Sequence, residues 1–439
     1  MNISFQTDNK QASDPTLRTF IKDKNQNSWL SRIRLSAFDQ YSNSVLPTRK
    51  TEHWKYNDMY FLSQSEYLLD DLNPKQEQSN IDSLVENSIE IRLASGDYSL
   101  NTDALDDLSI TPFSEANDVQ RRLILENLES CQQNKNLLVN LNSALASNGL
   151  LVEIASGSTI EKPINIIHDS CSTDCATVRC NQVIIYCGEN SHCQIIEQFR
   201  DDHTNSVDHT CDLMLQQTII SLAQNSQCNH HRLNLESSSI RQVSRSVTRL
   251  AKNSNYKGFY FSKGSLLNKT DIDIFHQGEH SKSQLTGIYL PSGEDCVDYH
   301  TNIEHQVANC NSREIFRGII ADSAKATFNG KIHIFKYAQK SDAQLNNKNL
   351  LLTNTAEVNT KPELEIYADD VVCAHGATVA KIDEQAIYYM QTRGIKTEDA
   401  RRMLSHGFIN ELLEKIDNDE IKSSVSTVVL DALTSKSNR

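Results

Sequence analysis

The chain has 439 residues, which is long enough for one large core or for two to three domains. Its 57 acidic residues against 43 Lys and Arg give a net charge of −14, which argues against general binding to nucleic acid or to anionic membranes. No apolar run approaches the length of a membrane span, and residues 1–10 lack the apolar stretch of a secretory signal, so we expect a cytoplasmic protein that binds neither membrane nor nucleic acid.

The amino-terminal part, residues 1–149, is predicted to be helical and mixed. Between Asp14 and Tyr67, apolar residues recur at helical spacing until Pro47 interrupts the pattern. These apolar positions are Leu17, Phe20, Ile21, Trp29, Ile33 and Phe38. Residues 74–80 have the composition of a polar linker, and residues 119–128 indicate a further helix.

Residues 150–380 change to short runs rich in Val, Ile, Thr and Tyr, which are typical of strands. Such runs are residues 183–186, 194–199 and 258–261. Small polar turns recur between them and start at Gly157, Gly188, Ala223, Ala251, Gly278, Gly293 and Asp322. The starts are 31, 35, 28, 27, 15 and 29 residues apart, a repeat that predicts a β-solenoid. Because one interval is about half of the others, most intervals are expected to hold two coils. A large β-sandwich is the alternative.

Residues 381–439 return to a helical pattern. Asp383 is expected to cap a helix that runs through Tyr388 to Arg393 and stops at Gly394, and Thr397 is expected to cap a second helix. The second helix has one apolar stripe, made of Ala400, Met403, Leu404, Phe408, Leu412 and Ile416. This stripe either packs on the chain's own core or binds a partner. No structure is predicted for residues 421–439.

The motifs of several enzyme classes are missing from the sequence. It holds no phosphate-binding P-loop, no dinucleotide-binding glycine motif, no nucleophile elbow and no HExxH zinc motif. Adjacent carboxylates at Asp201-Asp202 and Asp369-Asp370 would suit a polysaccharide-cleaving enzyme, but a solvated surface explains them as well. Since the P-loop is missing, we expect that the chain does not hydrolyse ATP by that mechanism.

The 11 cysteines are expected to be reduced thiols, most of them small buried hydrophobic residues. The three that lie closest in sequence are Cys171, Cys175 and Cys180. Their spacing differs from the CxxC pairs of zinc sites. His230 and His231 would point to opposite faces of a strand, and so would His300 and His305. Neither pair is therefore suited to hold one metal ion from one strand.

One short segment places two iron-ligand side chains on the same face of a predicted strand. Cys373 and His375 are two residues apart and would project together. Thiolates and imidazoles both bind iron, and thiolates are the usual ligands of iron–sulfur clusters. Two ligands cannot complete a cluster site, so distant residues or a second chain would have to supply the others. A buried cysteine beside a hydrogen-bonded histidine is the alternative.

Two distant parts of the chain resemble the SufD family of iron–sulfur cluster assembly proteins. The longer part comprises residues 349–352 (NLLL), 356–358 (AEV), 360–371 (TKPELEIYADDV) and 373–378 (CAHGAT), and continues at Tyr388 and Arg393-Gly394-Ile395. The shorter part is residues 47–56 (PTRKTEHWKY). The resemblance implies a right-handed parallel β-helix between helical terminal regions.

The resemblance also implies a function and partners. SufD-like proteins pair with the related SufB scaffold, each contacts a SufC ATPase, and the complex builds iron–sulfur clusters and passes them to apo-proteins. The chain would be a non-catalytic scaffold with no tightly bound cofactor, and it would share a transient cluster with the SufB-like chain. A link to iron acquisition, a reduced flavin in the complex and a homodimer of the isolated chain are further implications.

The resemblance also implies roles for individual residues. His375 matches the family histidine proposed to act at the SufB–SufD interface, and it would be a transient metal ligand. Cys373 matches a nearby family cysteine, and Ala374 stands where the family often has Ser. The ATPase contact is expected on the C-terminal helices. The candidate partner-binding residues there are Arg393, Gly394, Met403, Leu404 and Phe408.

Three alternatives remain open. The paralogous SufB subunit is expected to carry a cysteine and a Glu-His-Glu-Ala-like stretch where this chain has residues 361–365 (KPELE). A β-helix enzyme that acts on polysaccharides would leave the terminal helices unexplained. The third alternative is a structural scaffold with no metal role.

Overall fold

The computed structural model describes residues 2–4, 19, 21, 29–48, 50–57, 59, 61–64, 66–69, 83–94, 97–101, 106–131, 136–146, 149–170, 176–201, 212–236 and 239–435. Several residues used in the sequence predictions lie outside these ranges, namely Asp14, Leu17, Phe20, residues 74–80, Cys171, Cys175 and Asp202.

The described strands form two sheets. The first, the N-side sheet, contains β1 Asn2–Ser4, β2 Glu66–Leu69, β5 Leu108–Pro112, β6 Leu150–Ile154, β8 Thr177–Cys187, β10 Leu213–Leu222, β12 Arg241–Leu250, β14 Leu267–His276, β16 Cys296–His305, β18 Lys325–Ile334 and β20 Glu357–Ile366. The second, the C-side sheet, contains β3 Ile89–Ala94, β4 Asp97–Asn101, β7 Ile164–Ser170, β9 His192–Asp201, β11 Gln227–Asn234, β13 Asn255–Ser262, β15 Lys282–Tyr289, β17 Asn311–Ile320, β19 Asp342–Leu351 and β21 Val372–Lys381.

The two sheets belong to one parallel β-solenoid. From β6 onward the strands alternate between the sheets, and each pairs in parallel with the strand two positions further along the chain. Leu213 pairs with Arg241 and Arg241 pairs with Leu267, so a coil of two strands takes 28 and then 26 residues. The expectation of two coils per interval is therefore wrong, because each full interval is one coil. The 15-residue interval is half a coil, since the turn at Gly278 follows β14 and the turn at Gly293 follows β15. The predicted solenoid is confirmed, and the chain does not form a sandwich of antiparallel sheets.

The space between the sheets is filled by the inward side chains, which alternate with outward ones along each strand. Fully buried members of this core include Ile185, Ile195, Ile220, Ile274, Phe316 and Ile332. The β-branched and aromatic composition noted in the sequence is thus the composition of a half-buried pleated surface. We call this set the inner core.

The Asn-Ser pair recurs in the turns because the backbone conformation there suits Asn. Asn190, Asn225 and Asn253 each have a φ of 57°, in the left-handed region that Asn tolerates better than most residues. Their side chains form a ladder, in which Asn225 donates to Asn190 over 2.9 Å and Asn253 donates to Asn225 over 3.0 Å. The serine that follows closes the turn, as where Ser226 Oγ donates to the Ala223 carbonyl over 2.7 Å. This local pattern stacks one coil on the next.

Helices cover the outer faces of both sheets. They are α1 Ser31–Asn43, α2 Phe61–Gln64, α3 Asp118–Cys131, α4 Leu137–Leu145, α5 Glu384–Thr392, α6 Thr397–Leu413 and α7 Asp419–Ser435. Helices α1 and α4 pack on the N-side sheet, where Phe38 and Leu141 meet Leu215. Helices α6 and α7 pack on the C-side sheet, where Leu412 and Val429 join Phe259, Ile288 and Ile319. None of the helices in the described part of the chain combines the length and apolar character needed to cross a bilayer.

The amino-terminal region is not a separate module. Within residues 1–149, β2 pairs with β8 and β3 pairs with β7, so this region contributes strands to both sheets. The helix predicted at residues 119–128 is confirmed as α3. The helices and the amino-terminal strands thus cover both flanks and the first coils of the solenoid, whereas no described strand pairs with the far edges of the last coil.

Candidate functional site

The last coil of the solenoid ends in two unpaired strand edges. Among the described strands, β20 pairs with β18 alone and β21 pairs with β19 alone, so the far edge of each has no strand beside it. Apolar side chains lie along these strands, and Ile366, Val372 and Val379 are 40%, 63% and 45% exposed. In the preceding coil Ile334, the register partner of Ile366, is fully buried. We call β20 and β21 the open end, since an unpaired and partly apolar edge is a template for another strand.

Cys373 and His375 both lie on β21 at the open end. The register places Cys373 beside Ala343 and His375 beside Leu345, and both of these neighbours belong to the inner core. The two side chains therefore share the inner face of the strand, as their spacing predicted. Cys373 is half-buried and packs against the inner core, whereas His375 is exposed. The structure thus brings the two predicted site residues together.

This pair offers one thiol and one imidazole to whatever covers the open end. Burial raises the pKa of the Cys373 thiol, and a backbone hydrogen bond from Ala343 offsets part of that rise. The thiol is therefore protonated at neutral pH and would have to lose its proton to bind a metal. Iron–sulfur clusters commonly take four protein ligands, so this pair leaves places for ligands from a second chain.

The predicted contact residues on α6 divide into a packed set and an exposed one. Leu404 and Phe408 pack, with most of the apolar stripe, against the cluster on the outer face of the C-side sheet. Met403 faces outward and is 54% exposed. The stripe thus packs mainly on the chain's own solenoid. Of the two alternatives, packing on the chain's own core and binding a partner, the structure supports the first. The predicted cap is off by one residue, because α6 begins at Thr397 and Lys396 occupies the cap position without a side-chain cap.

Arg393 and Gly394 end helix α5. Gly394 has a φ of 84°, which favours glycine. Its N–H donates to the Gln391 carbonyl over 2.9 Å, and the Ile395 N–H donates to the Met390 carbonyl over 3.2 Å, the hydrogen bonds of a Schellman motif. The predicted helix stop at Gly394 is confirmed, and this residue has a structural role in the fold.

Within the segment of residues 47–56, His53 and Trp54 pack on the outer face of the N-side sheet and meet a cluster of charges there. His53 Nδ1 is 3.1 Å from His300 Nδ1, and His300 Nε2 is 2.9 Å from Asp298 Oδ1. Lys269 Nζ donates to Asp298 over 2.9 Å and lies 5.0 Å from the centre of the Trp54 ring. His53, Trp54 and His300 line part of a cleft of about 1050 Å³. The sequence drew attention to the segment of residues 47–56 and to His300 separately, but it did not predict that they meet.

Asp298 is the centre of that cluster. Burial alone would raise its pKa, but the Lys269 ammonium and the His300 imidazole hold the pKa well below its usual range. Burial lowers the pKa of His53. At neutral pH the carboxylate is ionised and His53 is neutral. The buried Lys269–Asp298 pair anchors the N-terminal segment through the Trp54 ring beside Lys269 and through the adjacent Asn57, whose amide donates to Asp298 over 2.5 Å. His305 points to the other side, with Nε2 2.8 Å from Ser312 Oγ, as the five-residue spacing from His300 predicted.

A second charged cluster lies inside the solenoid. Glu197 is fully buried, and it accepts from Arg232 over 3.0 Å and from Thr218 over 2.8 Å. His230 and His168 lie 2.9 and 3.1 Å from its carboxylate oxygens. Burial would raise the pKa of Glu197, but Arg232 and the two histidines hold it well below its usual range. The cluster joins strands of both sheets, so its role here is to tie the first coils together.

Comparison with known proteins agrees with the resemblance in sequence. Residues 170–408 match the family model described as the SufBD core domain of SUF system FeS cluster assembly. The chain is 30% identical over 393 residues to the iron–sulfur cluster assembly protein SufD of Escherichia coli strain K12, covering 87% of this chain and 88% of that protein. It is 26% identical over 405 residues to the chloroplastic protein ABCI7 of Arabidopsis thaliana, covering 90% and 84%. It is 22% identical over 431 residues to SufD of Bacillus subtilis strain 168, covering 94% and 96%. The chain therefore belongs to the SufD family of iron–sulfur cluster assembly proteins, whose members carry the SufBD core domain.

Proposed function

We propose that this chain is a non-catalytic scaffold subunit for iron–sulfur cluster assembly, and that it pairs through its open end with a SufB-like chain. The observation that carries the proposal is the coincidence of two features on one coil. The two unpaired edges of β20 and β21 lie on the same coil as Cys373 and His375. Family membership supports the assembly role, and the geometry supports this end as the interface.

A related solenoid is the partner that fits the open end best. A partner coil could add one strand to β20 and another to β21, which would continue both sheets by backbone hydrogen bonds. The exposed Ile366, Val372 and Val379 would leave water in the same step, which adds a hydrophobic contribution to pairing. Without a partner chain, two copies of this chain could pair in the same way, which would give a homodimer of the isolated protein.

The cluster is the cargo of the pair and would form where the two chains meet. Cys373 and His375 would supply up to two ligands from this side, and the SufB-like chain would supply the remainder. An exposed imidazole in place of a thiolate gives a weaker hold on iron, which suits a cluster that passes on to apo-proteins.

The SufC-like ATPase is proposed to bind the outer surface of α5 and α6. The apolar stripe of α6 is mostly occupied by the chain's own solenoid, so the available surface is the opposite one. It presents Tyr388, Tyr389 and Met403, which are 69%, 59% and 54% exposed. Aromatic residues and methionine are enriched in protein interfaces. ATP hydrolysis would then take place in the partner.

A reducing compartment is proposed as the site of action. The described cysteines are free thiols, which suits the cytoplasm, although one relative is chloroplastic by name. Reduced thiols are also required if Cys373 is to serve as an iron ligand.

The proposed interface with the SufB-like chain is tested by placing a charged side chain on the edge of β21. The full chain is co-expressed with SufB-like and SufC-like chains and purified by a tag on this chain. Val372→Lys places a charge on the edge of β21, which opposes strand addition, and should lower the recovered SufB-like chain about tenfold or more. Val119→Lys is the matched control, since Val119 is 75% exposed on α3. Equal recovery with both variants would remove the open end from the interface.

A further inference from the structure

Three cysteines meet inside the first coils of the solenoid. Cys187 ends β8, while Cys193 and Cys228 lie at the second positions of β9 and β11, where the register pairs them directly. The three Sγ atoms lie within 4.8 Å of one another, and those of Cys187 and Cys193 are 3.6 Å apart. Each residue is at most 1% exposed. This thiol cluster is part of the inner core and lies several coils away from Cys373.

The backbone fixes the positions of all three thiols. Cys187 and Cys193 flank the turn in which Asn190 has a φ of 57° and Ser191 Oγ donates to the Gly188 carbonyl over 2.7 Å. Parallel pairing of β9 with β11 holds Cys228 beside Cys193. Ligands held by sheet pairing and a closed turn need little rearrangement to bind an ion.

The sulfur separations match a three-coordinate thiolate site. With metal–sulfur bonds of about 2.3 Å, three sulfurs in a plane around one ion are roughly 4 Å apart. A disulfide needs a separation of only about 2 Å, which is well below the 3.6 Å between Cys187 and Cys193. Zinc sites usually have four ligands, and no fourth Cys, His or carboxylate among the described residues belongs to this group. Soft thiolates without a fourth ligand favour Cu(I).

We propose that Cys187, Cys193 and Cys228 form a buried three-coordinate site for Cu(I). Each thiol releases its proton to solvent as it binds, so the occupied site is anionic. Arg232 lies on the same inner face of β11 as Cys228, and its Nε and Nη2 find no acceptor among the described residues. Because Cys187 belongs to the N-side sheet and the other two belong to the C-side sheet, a bound ion would join the two sheets.

The test uses the full chain under anaerobic, reducing conditions. The protein is incubated with Cu(I) in the presence of a Cu(I) chelator and desalted, after which copper per chain and the copper X-ray absorption spectrum are measured. We expect one Cu(I) per chain with three sulfur neighbours at about 2.3 Å. Cys228→Ser should lower the chelator concentration that removes the copper by about tenfold or more. Cys310→Ser, which removes a buried thiol outside the cluster, should leave that concentration unchanged.

The outcomes separate a binding site from a set of core thiols. Circular dichroism of the copper-free variants verifies their fold, and Cys187→Ala replaces Cys228→Ser if serine is not tolerated in the core. No retained copper, fewer than three sulfur neighbours, or equal retention in Cys228→Ser and Cys310→Ser would each overturn the proposal. Binding of Zn(II) alone, with four ligands, would also overturn it. None of these measurements depends on cluster assembly, so the result stands apart from the scaffold function.

Discussion

Glu52 Oε1 lies 2.5 Å from Lys361 Nζ, although 309 positions separate the two residues in the chain. Lys361 is on β20 at the open end, and Glu52 belongs to the N-terminal segment of residues 47–56. The two parts of the sequence that resemble the SufD family therefore touch each other beside the open end. The side chains are 75% and 47% exposed, so the pair adds little to stability. It shows instead that the N-terminal segment borders the proposed interface.

Because buried charges hold this segment, we predict that Asp298→Asn strongly lowers the free energy of unfolding. Asp298 accepts from Lys269 and pairs with His300. Without the charge of Asp298, the carboxylate of Asp271, 3.6 Å away, is the one ion-pair partner left to Lys269 among the described residues. Removing one partner of a buried ion pair costs several kcal/mol, and we expect about 3 kcal/mol of unfolding free energy here. Urea unfolding followed by circular dichroism measures the loss.

The control for Asp298→Asn is Asp369→Asn, which makes the same chemical change on the exposed surface of the last coil. It should change the unfolding free energy by less than about 0.5 kcal/mol. A difference between the two variants smaller than about 1 kcal/mol would contradict the anchoring role of the buried cluster.

The buried carboxyl group of Glu314 is expected to make the unfolding free energy depend on pH. It is 1% exposed, and burial raises its pKa to about 8, an effect that Thr301 only partly offsets. Unfolded glutamate titrates near about 4.3, so between these two values the folded chain keeps a proton that the unfolded chain has lost. The contribution of Glu314 to the unfolding free energy should therefore fall by about 1.4 kcal/mol per pH unit as the pH rises from about 4.5 to about 8.

The measurement for Glu314 is the difference between the wild-type chain and Glu314→Gln in urea unfolding at several pH values. Buried histidines act in the opposite direction, since burial lowers the pKa of His231 and of His305 to about 4, and stability then rises with pH up to about 6.5. Both chains share these histidines, so the difference isolates Glu314. It should grow in favour of the Gln variant with rising pH. Exposed Glu357→Gln should show no such trend.

The solenoid could be predicted because its signals are local. The Asn of each turn occupies a left-handed position and the Ser closes the turn, so four adjacent residues contain the information. The number of coils per interval could not be read in the same way, since only the register shows that the Gly278 and Gly293 turns lie half a coil apart. Helix α7 was not predicted, although the sequence contains its pattern. Apolar residues recur there every four positions and are buried, namely Ile421, Val425, Val429 and Leu433.

The site could be predicted only in part, for a related reason. Strand alternation placed Cys373 and His375 on one face, and the structure agrees. The partners of Glu197 lie on other strands, so their meeting depends on the pairing of β7, β9, β10 and β11 and not on neighbouring residues. Because the coils differ in length by several residues, side chains that meet between coils do not recur at a fixed spacing in the sequence. The interior clusters therefore needed the structure.

His375→Ala tests the role of the exposed imidazole in cluster assembly. His375 is exposed on β21, so the change should leave the unfolding free energy within about 0.5 kcal/mol of the wild-type value. The activity of an iron–sulfur enzyme in cells that depend on this chain should fall about tenfold or more. Thr378→Ala, at an exposed position on the other face of the same strand, is the control and should keep full activity. Full activity of His375→Ala would exclude the imidazole from the mechanism.

The surface of α5 and α6 is tested by substitution, because truncation would disturb the fold. Helices α6 and α7 bury Phe259 and Ile319 on the C-side sheet, and removal of residues 383–439 would expose both. A Tyr388→Ala and Met403→Ala double variant removes two exposed side chains and should weaken binding of the SufC-like ATPase about tenfold, or about 1.4 kcal/mol. Isothermal titration with the purified ATPase measures this.

Tyr337→Ala serves as the control for that surface, since Tyr337 is 79% exposed on the turn between β18 and β19. It removes the same kind of side chain without touching α5 or α6, so ATPase affinity should stay at the wild-type value. If the double variant and the control bind equally well, the ATPase contact must lie elsewhere on the chain.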